Sequence, residues 1–439
     1  MNSIPIQYRE HGLLCRWIVL EMLRKVLVDK MLISEIKEDY RFSYRYLIPE
    51  QKARSLSLLE TILRNLSVID KIINVYLRQK PNSRIVNILR IAAAEILYDS
   101  IATHAAVDSA VRLTKSDKRL VKFAGLVNAI CRKIANKGLS ANNFGSPLLS
   151  QQLITGLKNT YDLNTIKEFG IAQKQRPPVD ITIKEPSKEI YYYKLLAGRI
   201  LPSGSIRLQH KNQISKLPGF DEGAWWVQDF SSAMPVRLFG KIEGLSALDV
   251  CAAPGGKTMQ LAAAGASVTA IEISRERATK LKNNLNRTNL MAEIIVEDIK
   301  KFRTAKLFDI VLVDAPCSAT GTIRRNCDLQ YLDPLKRVKV LVKQQKAILK
   351  KAMSFVKPGG RLLYCTCSLL PEEGESIIEE TLKYCFNWKQ LIVDVKNFGI
   401  DPDWVDSSGG LRLRPDYWKS IGGMDGFYIA MLKKIDFYK

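Results

Sequence analysis

From Leu13 to Ala124 the chain contains no glycine, and its apolar residues recur at helical spacing. Trp17, Leu20, Leu23, Val26 and Leu27 form one stripe, Leu56, Leu59, Ile62, Leu63 and Leu66 a second, and Ile85, Ile88, Leu89, Ala92 and Ile96 a third. So long a stretch without the residue that tight turns favour argues against hairpins and for a set of packed helices. The pattern changes after residue 245. Short apolar runs at 245–250, 267–272, 292–297, 309–314 and 361–366 alternate with helical stretches, including 275–286 and 335–356. A last apolar strand is expected at 426–432. Such alternation predicts a parallel, doubly wound sheet.

Between these regions, residues 138–147 are small and polar and read as a linker, and 150–235 is mixed, with a strand expected at 179–183. At 439 residues the chain is too long for one core. It is expected as an all-α domain at 1–140, a small mixed α/β region at 150–235 and a Rossmann-like α/β domain at 236–439.

The charge points to a partner. Sixty-seven Lys and Arg face 44 Asp and Glu, a net +23, and residues 1–140 carry +11 of it. A chain this basic faces a polyanion, with nucleic acid ahead of an anionic membrane. Arg112, Lys115, Lys118, Arg119, Lys122, Arg132, Lys133 and Lys137 stand against Asp117 alone in their stretch. The bland alternative for that run is a solvated helix face. No membrane anchor is expected, since the best early apolar stretch is broken by Arg16 and Glu21. The eight cysteines are scattered, Cys365 and Cys367 lack a second close pair, and His11, His104 and His210 lie far from them. A reducing cytoplasm and no metal are expected.

The first strand of the α/β region runs into Asp249-Val250-Cys251-Ala252-Ala253-Pro254-Gly255-Gly256-Lys257-Thr258. Small residues there let a ligand approach the backbone and the following helix. A phosphate-cradling loop would need glycine where Cys251 stands, and the dinucleotide pattern G-x-G-x-x-G is missing. Asp249, Glu272, Asp298 and Asp314 fall at four successive strand ends. Acids so placed suit a ligand with a ribose and a cationic or neutral group, which S-adenosylmethionine satisfies. Cys317 and Cys367 share this rim, the second just ahead of Pro371-Glu372-Glu373, which reads as a helix start whose positive end favours thiolate.

These segments resemble the bacterial ribosomal-RNA cytosine-C5 methyltransferases of the Sun/Fmu group. The likeness is carried by LPGFDEGAWWVQD at 217–229, DVCAAPGGKT at 249–258, DAPCSATGTIRR at 314–325, YCTCSLLPEEGE at 364–375 and GMDGFYIA at 423–430. HAAVDSAVRL at 104–113 and GLVNAICRKI at 125–134 resemble the NusB-like RNA-binding domain of that group. Glu272 stands where the group's pattern has aspartate.

The resemblance implies a multidomain chain with a NusB-like helical domain and an S-adenosylmethionine-dependent methyltransferase domain. It also implies methyl transfer from S-adenosyl-L-methionine to cytosine C5 of RNA, most naturally 16S ribosomal RNA, through a covalent cysteine–C6 adduct. Catalytic roles fall on Cys367 as nucleophile, Cys317 in proton removal and release, Asp314 on the base, and Lys257 beside the cysteines. Cofactor binding falls on Cys251, Ala252, Ala253, Pro254, Gly255, Gly256, Lys257, Glu272, Asp298 and Asp314. Arg324 and Arg325 are candidates for backbone phosphates. A monomer is expected. The rival readings are a tRNA cytosine-C5 methyltransferase and a non-catalytic RNA-binding assembly factor.

Overall fold

The computed structural model describes all residues except 1–10, 40, 41, 100, 137–143, 147, 175, 210–212, 333 and 437–439. Most of the linker expected at 138–147, Lys137 and His210 lie outside the described residues. The chain forms two compact units, one of residues 1–175 with 323–334, the other of 176–322 with 335–439. The three segments expected from composition therefore group differently. Two helices after residue 150 fall in the first unit, and the rest of the mixed region falls in the second.

The first unit is helical: α1 (His11–Leu27), α2 (Ile33–Glu38), α3 (Pro49–Arg64), α4 (Leu66–Tyr76), α5 (Ser83–Tyr98), α6 (Thr103–Lys115), α7 (Ala124–Asn136), α8 (Gln151–Leu157) and α9 (Leu163–Ala172). The stripes read from the sequence are its core. Ile18, Leu23, Leu59, Ile62, Ile88 and Leu89 are buried together. Local chemistry sets the helix starts: Asn82 accepts from the Ile85 amide at α5, and Asp162 accepts from Asn164 and Thr165 at α9. Arg16 donates to Glu95 at 2.8 Å, a buried pair between α1 and α5.

The segment 323–334 packs into this helical core. Cys327 is buried in it, and the Tyr331 hydroxyl donates to the Leu63 carbonyl at 2.6 Å. The Ile33 amide at the start of α2 donates to Asp328 at 2.7 Å. Arg64 donates to the carbonyls of Arg324, at 2.6 Å, and Gln173, at 3.0 Å. Arg324 is 2% exposed, so the phosphate contact expected of it does not stand. The dipeptide looks like a surface pair, but its first member is buried.

The second unit opens with a small antiparallel sheet of β1 (Val179–Ile183), β2 (Gly198–Ile200), β3 (Ile206–Leu208) and β4 (Trp225–Val227), ordered β2-β3-β1-β4, with α10 (Glu189–Leu195) between β1 and β2. Asp180 on β1 takes both nitrogens of a fork from Arg207 on β3, at 2.7 and 2.8 Å, and both side chains are buried.

The main sheet follows α11 (Phe230–Leu238). Its strands are β5 (Ser246–Val250), β6 (Ser267–Glu272), β7 (Glu293–Val296), β8 (Phe308–Asp314), β9 (Val356–Thr366), β10 (Trp388–Leu391), β11 (Leu411–Leu413) and β12 (Phe427–Lys434). The helices between them are α12 (Gly256–Ala263), α13 (Arg275–Thr288), α14 (Pro334–Met353) and α15 (Glu375–Tyr384). The order is β10-β12-β9-β8-β5-β6-β7, with β11 beside β12. β5 through β9 run parallel, while β12 lies antiparallel to β9, β10 and β11. The expected fold class holds: helical first, then α/β around a mostly parallel sheet. The order reverses between β5 and β8, which opens a crevice at the carboxyl ends of those strands.

Candidate active site

β5 ends in a turn that only small residues can make. Cys251 adopts φ 63° and Gly255 φ 107°. A Cβ on Gly255 would lie 2.4 Å from the Leu281 side chain on α13, so the turn is closed by close packing as well as by conformation. Arg277 of α13 donates to the Ala253 carbonyl at 2.5 Å, and Asn284 to that of Pro254 at 2.9 Å. Residues 251–256 are thereby held over the end of β5.

The acids expected at the strand ends part company. Glu272, Asp298 and Asp314 line one cleft of about 370 Å³, with Cys251, Cys317 and Cys367. Asp249 does not join them. It is fully buried and accepts from the Thr258 hydroxyl at 2.6 Å, tying β5 to α12. Burial raises its pKa to about 7, with the Thr258 hydrogen bond opposing.

Glu272 sits at the cleft floor, 1% exposed, and accepts from the amides of Ala253 at 3.3 Å and Ser274 at 3.0 Å. Asp298 accepts from the Lys300 amide at 3.0 Å and pairs with its ammonium at 3.2 Å. Ile273, Ile299 and Ile348 supply apolar wall. Carboxylates that can accept from hydroxyls and face a cation, beside a slot for a flat apolar ring, suit a nucleoside with a positively charged tail. The volume falls within the roughly 300–1,000 Å³ common for small-molecule clefts.

Lys257 stands on the first turn of α12, buried. Its ammonium donates to Asp314 at 2.7 Å and to the Ser232 hydroxyl at 3.2 Å. Burial works against that charge, but Asp314, Cys365 and Asp249 together outweigh it and the lysine pKa is raised. The ammonium expected beside the thiols is thus engaged by Asp314 and Ser232.

The two rim thiols meet. Cys317 Sγ lies 3.4 Å from Cys367 Sγ. The hydrogen bond to Cys367, then burial, then the negative charges of Cys367 and Glu373 push the Cys317 thiol well up. The two sulfurs are within hydrogen-bond contact, and either can donate. Cys365, two residues before Cys367, is fully buried and lies 3.7 Å from Asp314.

Two glycines let the loops approach. A Cβ on Gly321 would lie 2.0 Å from the Gly426 carbonyl oxygen, and the Gly321 amide donates to the Cys367 carbonyl at 2.9 Å. The motif at 423–430 thus acts here through its backbone.

Sequence reasoning missed the polar cluster under the thiols, Ser318, Gln345, Ser368 and Glu373. Pro371-Glu372-Glu373, expected to open a helix, forms a 3-10 turn, and α15 starts at Glu375. Arg277, 3.6 Å from Glu272 and on the cleft wall, was also missed. Its signal is its place one turn after a strand-end acid.

Comparison with known proteins bears on this geometry. A family model described as 16S rRNA methyltransferase RsmB/F matches residues 240–433, and the NusB family matches 15–136. Ribosomal RNA small subunit methyltransferase B of Pasteurella multocida is 33% identical over 404 residues, covering 87% of this chain and 86% of that protein. The protein of that name from Salmonella arizonae is 30% identical over 409 residues, covering 88% and 91%. Among solved structures, that of PH0851 superposes with a TM-score of 0.72 at 22% identity over 98% of this chain and 99% of that one, a likeness of fold.

Proposed function

The chain belongs to the RsmB/F family of 16S rRNA methyltransferases, and from that premise we propose that it methylates C5 of a cytosine in 16S ribosomal RNA using S-adenosyl-L-methionine. The observation that carries the reading is the pair of thiols 3.4 Å apart on the wall of a cleft lined by three strand-end acids. A tRNA substrate is not favoured, because the relatives that match most of the chain act on small-subunit ribosomal RNA by name. A non-catalytic assembly factor has no use for two thiols in contact beside a nucleoside-sized cleft.

Bound S-adenosylmethionine supplies a methyl group made electrophilic by its sulfonium. Glu272 would hold its ribose hydroxyls, Asp298 and Asp314 would face its cationic end, and the loop of Cys251, Ala252, Ala253, Pro254, Gly255 and Gly256 would lie against it.

Cytosine C5 is a poor nucleophile until a thiolate adds at C6. Cys367 forms that bond, the ring electrons move toward N3 and C5, and a proton passed through the Asp314 carboxyl neutralises N3 as charge builds there. Lys257 holds Asp314 in place and is a positioning residue. After methylation the C5 proton must leave so that the C5=C6 bond re-forms and the Cys367 sulfur departs. Cys317 assists that removal and release. The base reaches the cleft from a loop or by leaving its stack. The helical unit adds RNA affinity through its positive charge, and the protein acts as a cytoplasmic monomer.

The test is bisulfite mapping of 16S ribosomal RNA from cells with and without the protein, paired with transfer of labelled methyl to that RNA in vitro. One cytosine losing protection without the protein is expected. Label appearing only on tRNA would overturn the substrate, and no label on any RNA would overturn the activity.

A further inference from the structure

A buried carboxylate lies beneath the two thiols, with no step above assigned to it. Glu373 is 0% exposed, and its carboxylate is held by neutral donors. The Ser318 amide donates at 2.9 Å, the Ser318 hydroxyl at 2.5 Å and the Gln345 side-chain amide at 3.1 Å. Burying a carboxylate is costly unless hydrogen bonds replace its water, so a sequence keeps one in such a place for what the bonds hold together.

Those bonds hold the two thiol loops. Ser318 follows Cys317, and Gln345 also donates to the carbonyl of Pro316, just before it, at 2.8 Å. The Ser318 hydroxyl lies 3.2 Å from that of Ser368, which follows Cys367. Thr320 closes the ring, 3.2 Å from Ser368 and accepting from the Leu369 amide at 2.9 Å. On the far side, the Glu373 carbonyl accepts from Tyr364 at 3.0 Å and Thr366 at 3.3 Å, both on β9 as it leads into Cys367. One residue thus reaches the Cys317 loop with its side chain and the Cys367 strand with its backbone.

We propose that Glu373 is a positioning residue that clamps the Cys317 loop against the Cys367 loop and so sets the 3.4 Å approach of the two sulfurs. Removing its carboxylate frees the Cys317 side first, because the strand contacts are made by its backbone. The catalytic consequence rests on the roles given to the two cysteines. It is slower product release, with cofactor binding unchanged. The geometric consequence does not rest on them.

Both are measurable in the full-length protein. Diamide joins two close thiols into a disulfide while it is itself reduced to the hydrazine, and peptide mapping identifies the 317–367 pair. Glu373→Ala should slow that cross-link and lower kcat for RNA methylation, each by about tenfold or more, with the KM for S-adenosylmethionine held within about twofold. Glu373→Gln, which keeps the shape and one accepting oxygen, should recover most of both. Should Glu373→Ala not fold, Ser318→Ala, which removes only the bridging hydroxyl, should slow the cross-link in the same direction. A folded Glu373→Ala protein, or failing that Ser318→Ala, that cross-links and turns over like the parent overturns the proposal. So does a slowed cross-link with intact turnover. Failure of the cysteine roles reads differently: cross-linking would respond to Glu373 as stated while no covalent RNA complex forms in any variant.

Discussion

Lys257 and Asp314 face each other at 2.7 Å across the crevice at the carboxyl ends of β5 and β8, the lysine buried and the aspartate a third exposed toward the cleft. The pair fixes the carboxylate that meets the base in the proposed mechanism. Lys257→Met should leave that carboxylate without its partner and cost about 1–3 kcal/mol of stability, less than a fully buried pair because Asp314 keeps some water. Methyl transfer should fall with kcat rather than with the KM for cofactor. Denaturant unfolding and steady-state kinetics check both, and a variant with unchanged kcat would remove Lys257 from the mechanism.

Asp249 makes a pH prediction. Its carboxyl is raised to about 7 in the folded chain by burial, against an ordinary value near 4 in the unfolded one. The native state therefore holds the proton that the unfolded state releases. The stability this group contributes is full below about pH 4 and is lost as pH rises through 7, at up to about 1.4 kcal/mol per pH unit. Asp249→Asn should flatten that part of the stability curve. Equal slopes in the variant and the parent between pH 4 and 7 would show that Asp249 is ionised throughout.

Cofactor affinity should follow the cleft acids. Calorimetry should find one S-adenosylmethionine site per chain, weakened about tenfold or more by Asp298→Ala through loss of charged hydrogen bonds. Glu272→Gln is the cleaner probe at the floor, since Glu272→Ala would also strand the amides of Ala253 and Ser274. Parent-like affinity in both Asp298→Ala and Glu272→Gln would move the cofactor elsewhere.

The strand ends were readable from sequence because short apolar runs mark each strand, and the chemistry-bearing residue follows where the run stops. That logic places Glu272, Asp298, Asp314, Cys317 and Cys367 on one cleft. It fails for Asp249, because a strand end does not say which way a side chain turns, and Thr258 draws this one inward. The short strands β2, β3, β4, β10 and β11 carry too few residues for an alternation to register. Arg324 was misread and the polar cluster of Glu373 missed for a shared reason: charged residues are assigned to the surface by default, and only tertiary structure shows the partners that allow them inside.

The helical unit's charge is tested by substitution. Deleting residues 1–140 would strip the core from around Cys327 and Tyr331, which belong to the 323–334 segment, so loss of activity there would be ambiguous. Lys118, Lys122 and Arg132 are exposed and can be changed to Gln together. RNA affinity should fall, and the slope of log affinity against log salt should drop by about 2 if all three meet phosphates of single-stranded RNA. An unchanged slope would make the basic run a solvated face.

The order of work between the two cysteines is the central claim, and a denaturing gel decides it. RNA and labelled S-adenosylmethionine are mixed with each single alanine variant. Cys317→Ala should still add to C6 and transfer the methyl, then stall, giving a slow band that carries the methyl label. Cys367→Ala should give no band and no methylation. A labelled band from Cys367→Ala, with none from Cys317→Ala, would reverse the assignment and contradict the account.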